Sequence, residues 1–265
     1  MEVYRRQLFI KLNHMLLIFS DLDATLLDHN TYSFQEALPA LQLIRKRKIP
    51  LILSSSKTYD EMIVIRKELS NHDPFIYENG SGIYFEDNKV SLGTSHSEIS
   101  NLLQDLKKRF SFISFYDLGP KGIQKETGLD IHASERAYRR EFTEPLIWKD
   151  STQNLIIFKQ LLQQNNLTAA QGGRFLTISS AKNKGDALLW VKKRYESIAK
   201  VKITTIGLGD SENDINMLDC ADKAIIVRHP KKLPPNINGH ASLIITDAIG
   251  PKGWNEAIIN ILDEQ

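Results

Sequence analysis

Leu16-Leu17-Ile18-Phe19-Ser20-Asp21-Leu22-Asp23-Ala24-Thr25 runs from an unbroken apolar segment straight into two acids one residue apart. A strand with one wet face alternates apolar and polar residues. A short continuous apolar run is the pattern of a strand covered on both faces, as in a parallel sheet. The same pattern recurs at 50–54 (PLILS), at 203–207 and at 224–227, with a further strand expected at 243–246. Helical periodicity lies between these runs. Leu38, Leu41 and Ile44 share one face of a helix expected over 35–46. Thr58 and Glu61 form a capping box for a helix through Leu69. Further helices are expected at 185–195, 212–220 and 254–262. Strand and helix in alternation predict an α/β fold with a parallel sheet.

The middle of the chain has a different character. Ile99, Leu102, Leu103, Leu106 and Phe110 mark an amphipathic helix over 97–110, and 111–116 (SFISFY) alternates like a half-buried strand. A polar stretch follows, then a helix expected over 133–142 that stops before Pro145, and another over 152–165. Two strands round a turn at Gly172-Gly173 complete the segment. This order fits an α+β insertion in the parallel core. The expected division is an N-terminal extension at 1–14, a core domain from 15–87 and 182–265, and a cap domain at 88–181.

Bulk composition narrows the function. The 265 residues are 42% hydrophobic and 25% charged, with 34 basic and 32 acidic side chains. So small a net charge gives no reason to expect nucleic acid or an anionic membrane as partner. The single cysteine, Cys220, cannot form an internal disulfide and reads as a buried structural residue. No apolar run reaches the length of a membrane span, and the run before Asp21 is too short for a secretory signal. A cytoplasmic protein is therefore expected.

Ligands of open α/β sheets bind beyond the carboxyl ends of the strands, which is where Asp21 and Asp23 fall. One such acid can attack phosphorus, and the other can protonate a leaving oxygen and later deprotonate water. Carboxylates this close call for a cation with a taste for oxygen, such as Mg2+. Gly207-Leu208-Gly209-Asp210-Ser211-Glu212-Asn213-Asp214 also leaves a buried strand and opens a helix. It brings Asp210 and Asp214 to the same rim, although acids at a helix start also satisfy the helix dipole alone. Ser54-Ser55-Ser56-Lys57 ends the second strand and can hold a phosphoryl oxygen, or form an ordinary serine-rich turn. Lys184 can neutralise charge at the nucleophile, or can be a solvated surface lysine.

In this order, Asp21 with Asp23, Ser55, Lys184 and Asp210 with Asp214 resemble the four motifs of the haloacid-dehalogenase superfamily of phosphatases. Within it, SSSKT at 54–58, PFIYENG at 74–80, RREFTEP at 139–145 and GGRF at 172–175 resemble the mannosyl-3-phosphoglycerate phosphatase family, as does GPKGWN at 250–255. The resemblance implies a parallel core with an inserted α+β cap and hydrolysis of a small phosphorylated glycoside through an aspartyl-phosphate on Asp21. Mg2+ would be held by Asp21, Asp23, Asp210 and Asp214. Substrate contacts are implied at Ser56, Lys57, Asn79, Arg140, Glu144, Gly173, Arg174 and Asn213. Arg140 and Glu144 read equally well as an exposed ion pair near a helix end. Ala24 stands where these proteins usually carry glycine, and fits unless the backbone there needs positive φ. A phosphatase for another sugar phosphate, a phosphomutase and a non-catalytic phosphate-binding protein are the rival readings. Oligomeric state is not legible.

Overall fold

The computed structural model describes residues 14–172, 174–237 and 239–264. The chain divides into two compact units, one made of the chain up to Ser54 and from Lys184 onward, the other of Ser55–Asn183. The first unit opens with β1 (His14–Ser20), buried from Leu16 onward. The residues expected to form an N-terminal extension lie outside the described residues, except His14, which begins β1. After a 3-10 turn at Gln35–Ala37, α1 (Leu38–Arg47) buries Ala40, Leu41 and Ile44. Lys48, in the left-handed region, ends this helix, and β2 (Leu51–Ser54) follows, buried throughout.

The second unit starts with α2 (Tyr59–Glu68), whose capping box is the expected one: Thr58 accepts from the Glu61 N–H and the Glu61 carboxylate accepts from the Thr58 N–H. An antiparallel meander follows, β3 (Phe75–Tyr77), β4 (Gly82–Phe85) and β5 (Asn88–Ser91). Then come α3 (His96–Leu106), β6 (Phe112–Ser114), α4 (Phe115–Thr127), α5 (Ile131–Tyr138), β7 (Thr143–Trp148), α6 (Thr152–Gln164), β8 (Leu167–Gly172) and β9 (Phe175–Ser180). The last four strands form an antiparallel sheet in the order β6-β7-β9-β8. Ile99 and Leu103 of α3 and Phe158 and Leu162 of α6 cover it, together with Phe112 and Ile178 of the sheet itself.

Four elements here differ from the sequence expectation. The polar stretch after Tyr116 is the helix α4. Its Gly119-Pro120 pair, with Gly119 at φ 60 and ψ 177, breaks the helical periodicity, but Ser114 caps the start through a capping box with Asp117. The strand expected through Tyr116 therefore stops at Ser114. The helix expected to reach Phe142 ends at Tyr138, and Thr143–Trp148 is a strand despite Pro145. Thr143, Glu144, Pro145 and Leu146 are buried and pair with β9, while the ladder with β6 stops at Leu146; their burial outweighs the missing proline N–H.

Residues 55–87, read from sequence as core, cluster with the second unit. The buried Glu78 carboxylate explains it: it accepts from Glu141 N (2.8 Å), Phe142 N (3.0 Å) and the Thr143 hydroxyl (2.6 Å). Arg139 adds an ion pair to Asp60 at 2.9 Å.

The chain returns to the first unit with α7 (Lys184–Ala199), β10 (Lys202–Gly209), α8 (Ile215–Cys220), β11 (Lys223–Arg228), β12 (Leu243–Ile249) and α9 (Gly250–Asp263). Its strands lie parallel in the order β12-β11-β10-β1-β2. β1 thus has a strand on each side, and from Leu16 to Phe19 it is apolar and buried throughout. The α/β class with a mainly parallel sheet is the expected one. Cys220 is only partly buried, so it is not the interior residue expected. No helix among the described residues is long and apolar enough to cross a membrane.

Candidate active site

β1 and β10 pair in parallel with Ser20 opposite Leu208, so their carboxyl ends finish side by side. That register brings Asp21 and Asp210, far apart in sequence, to one edge of the sheet. Both are buried. The Asp21 N–H is tied to the Leu208 carbonyl at 2.9 Å. Beyond Asp21 the chain turns sharply. Leu27 N and Thr25 N both donate to the Leu22 carbonyl, at 2.8 and 3.2 Å, and Ala24 sits at φ 61. The backbone at Ala24 is therefore in the region that favours glycine, which accounts for the usual glycine there. The half-buried Asp23 is carried on this turn.

The Gly209–Asp214 loop builds the rest. Asp214 Oδ2 accepts from Asp210 N and Ser211 N, both at 3.1 Å. Gly209 makes room for it: a Cβ there would lie 2.4 Å from the Cβ of Asp214. The Thr25 hydroxyl donates to Asp210 Oδ1 at 3.2 Å, and the Ser211 hydroxyl oxygen lies 3.3 Å from the same atom. Lys184, the first residue of α7, is fully buried. It donates to Asp21 Oδ1 at 2.6 Å and to Asp214 Oδ1 at 2.7 Å. The surface-lysine reading of Lys184 is therefore wrong. Sequence reasoning missed Thr25 and Ser211 as neighbours of Asp210. Their hydroxyls lie within the two quoted motifs, which is the signal that could have found them.

Charge explains what this arrangement can bind. Burial, reinforced by Asp214 and opposed by Lys184, holds the Asp21 carboxyl well above the usual carboxylate range. Burial and Asp214 likewise push Asp210 up to about 6, against Lys184 and Lys232. Burial also works against a charge on Lys184, but Asp21 and Asp214 outweigh it and raise its pKa. Three acids share one lysine here, which leaves an excess of negative charge. One oxygen each of Asp21, Asp210 and Asp214 lie within 4.8 Å of one another. Carboxylate oxygens packed this closely fit a hard divalent cation such as Mg2+.

The remaining sequence candidates fall as follows. Asn213, exposed in the first unit, accepts from the Ser211 hydroxyl at 2.7 Å. The others belong to the second unit. Ser55 Oγ accepts from Lys57 N (3.2 Å) and the Ser55 carbonyl from Asn79 N (2.9 Å), so Ser55, Lys57 and Asn79 come together. Arg140 donates to the Ser56 carbonyl (3.3 Å) and the Thr143 hydroxyl (2.7 Å). Glu144 is buried in β7, accepting from Tyr116 N at 2.9 Å and pairing with His96. Arg140 and Glu144 therefore use different partners, and the exposed helix-end pair is not formed. No sequence signal marks His96 as the partner of Glu144. Arg174 is exposed, its guanidinium 5.7 Å from the Phe175 ring centre. Gly173 lies outside the described residues.

Residues 18–247 match the haloacid dehalogenase-like hydrolases. The chain belongs to this family. It is 36% identical over 265 aligned residues to the glucosyl-3-phosphoglycerate/mannosyl-3-phosphoglycerate phosphatase of Persephonella marina, covering 94% of this chain and 98% of that protein. The protein of the same name from Methanococcoides burtonii is 35% identical, with 93% and 97% covered. A crystal structure from Thermoplasma acidophilum has a TM-score of 0.71 at 15% identity, covering 94% of this chain and 99% of that one, and speaks to the fold alone.

Proposed function

We propose that this hydrolase is a Mg2+-dependent phosphatase that converts mannosyl-3-phosphoglycerate to mannosylglycerate and phosphate through an aspartyl-phosphate on Asp21. The observation that carries the reading is the buried cluster of Asp21, Asp210 and Asp214 tied by Lys184, with Asp21 Oδ1 held at 2.6 Å. Lys184 anchors one oxygen of Asp21, and the other takes the in-line attack on phosphorus. The bond from phosphorus to the glycerate oxygen breaks as the Asp23 carboxyl delivers its proton to that oxygen. Asp23, now a carboxylate, takes a proton from water, whose oxygen attacks phosphorus. The bond to Asp21 then breaks, releasing phosphate and restoring both acids. A Mg2+ ion would be held by Asp21, Asp210, Asp214 and the Asp23 carbonyl, and would supply charge neutralisation at the phosphoryl oxygens. Asp214 also orients Lys184 and the Asp210–Ser211 backbone. Ser55 is the proposed ligand of a phosphoryl oxygen. Residues 88–181 form the proposed specificity cap, with Ser56, Lys57, Asn79, Arg140, Glu144, Gly173, Arg174 and Asn213 as proposed substrate contacts.

The names of both relatives include glucosyl-3-phosphoglycerate, which favours a second reading in which the glucosyl compound is an equal substrate. Phosphate release from both glycosides, from simple sugar phosphates and from para-nitrophenyl phosphate tests the proposal. Wild type should prefer a glycosylated phosphoglycerate, and Asp21→Asn should be inactive on all of them. Near-normal turnover by Asp21→Asn would rule out the covalent route. Preference for a simple sugar phosphate would rule out the substrate.

A further inference from the structure

The residue before the nucleophile is tied to the C-terminal helix. Trp254, fully buried in α9, donates its indole Nε1–H to the Ser20 hydroxyl at 2.9 Å, and that hydroxyl donates to the Asp21 carbonyl at 2.7 Å. The direction of this chain is forced. An indole N–H can only donate, so the Ser20 oxygen accepts from it and turns its own proton to the Asp21 carbonyl. Trp254 and Ser20 are fully buried, so water does not substitute for either partner. On its other side, Asp21 donates its N–H to the Leu208 carbonyl at 2.9 Å. The two peptide planes flanking the Asp21 α-carbon are thus each pinned, one by the sheet and one by α9 through Ser20.

We propose that Ser20 and Trp254 are positioning residues that set the direction in which the Asp21 side chain leaves the backbone. Neither touches substrate. Lys184 holds one oxygen of the carboxylate, but a single bond to the tip of a side chain leaves its base free to swing. The relay fixes that base, and an attacking oxygen must be in line with the bond it displaces, so small misplacements are expensive in rate. A second tie from the same helix, Asn255 Oδ1 accepting from Ala40 N at 2.9 Å, anchors α9 to the start of α1. The helix is thereby held from two sides while it supports the nucleophile.

This inference rests on Asp21 being the nucleophile. Trp254→Phe keeps the ring and removes the donor; Ser20→Ala breaks the relay at its centre with a smaller change of volume. Both variants, their double mutant and Asp21→Asn are assayed with para-nitrophenyl phosphate and Mg2+ well below their melting temperatures. We expect kcat to fall about tenfold in each single mutant, with KM changed less than about twofold, as for a group that acts only on the attacking geometry. The double mutant should be no slower than Ser20→Ala, because both changes break one chain. Wild-type kcat in folded Trp254→Phe and Ser20→Ala, with Asp21→Asn inactive, would assign the relay to stability alone and overturn the proposal. Independent, multiplying losses in the double mutant would overturn it too. Substantial turnover by Asp21→Asn would remove the premise, and is read from that variant separately.

Discussion

Ala24 carries a conflict between residue type and backbone. At φ 61 it occupies the left-handed region, and it is 2% exposed. Three terms decide the effect of Ala24→Gly: relief of about 1–2 kcal/mol of left-handed strain, loss of about 0.8 kcal/mol from a buried methyl, and the greater chain entropy of glycine, about 0.5–1 kcal/mol. They nearly cancel, so Ala24→Gly should unfold in urea within about 1 kcal/mol of wild type. Ala24→Val should not, because a β-branched side chain at this φ is a far worse fit and the site is closed. A Val variant as stable as wild type would show that the turn yields. Lys184 offers a second test at this scale. Lys184→Met leaves Asp21 and Asp214 buried without their shared cation, which should cost about 3–5 kcal/mol in urea unfolding and abolish turnover. The acids and Lys184 were picked out by their order together with the family resemblance that this order carries. The burial of Lys184 was not, since surface lysines and buried ones look alike until the surrounding carboxylates are in place.

Among the elements, those with local causes were legible. β1, β2 and β10 announce themselves as apolar runs because both faces are covered, and α2 by its capping box. α4 and β7 were hidden because their local signals are contradicted by Gly119-Pro120 and Pro145, and tertiary burial overrides them. The 3-10 turn at Glu78–Gly80 depends on such distant contacts. Glu78→Ala deprives two main-chain N–H groups and a buried hydroxyl of a charged acceptor. It should destabilise the second unit by about 3 kcal/mol, read from urea unfolding followed by Trp148 fluorescence. A loss below about 1 kcal/mol would mean that water or another acceptor replaces the carboxylate. In the β8–β9 turn, Arg174→Ala should slow turnover of the glycosylated phosphoglycerate much more than that of para-nitrophenyl phosphate, because a guanidinium matches a carboxylate that only the former carries. Equal losses on both substrates would assign Arg174 to general support of the fold, and Arg140→Ala is then the next variant to compare.

For the molecule as a whole, the cation is the decisive variable. EDTA should abolish turnover and Mg2+ restore it. Ca2+, with longer bonds and looser geometry, should compete without supporting the same rate. Full activity after exhaustive chelation would exclude a metal-dependent reaction. Mg2+ should also raise the melting temperature of the chelated protein, since it relieves the crowded carboxylates only in the folded state. Asp210→Asn should reduce that shift.

The α/β alternation, the strand ends and the order of the acids could be read along the chain, because apolar periodicity and capping are local properties of neighbouring residues. Its resemblances were enough to name a family and a reaction class. Which oxygen meets which nitrogen depends on how the elements pack. Asp21 lies 189 positions before Asp210, and only the parallel register of Ser20 with Leu208 places them on one rim. Likewise the tie from Trp254 to Ser20 joins residues 234 positions apart. Such contacts arise from the way the sheet and its helices close on each other, and that closure has no periodicity along the chain for a sequence to display.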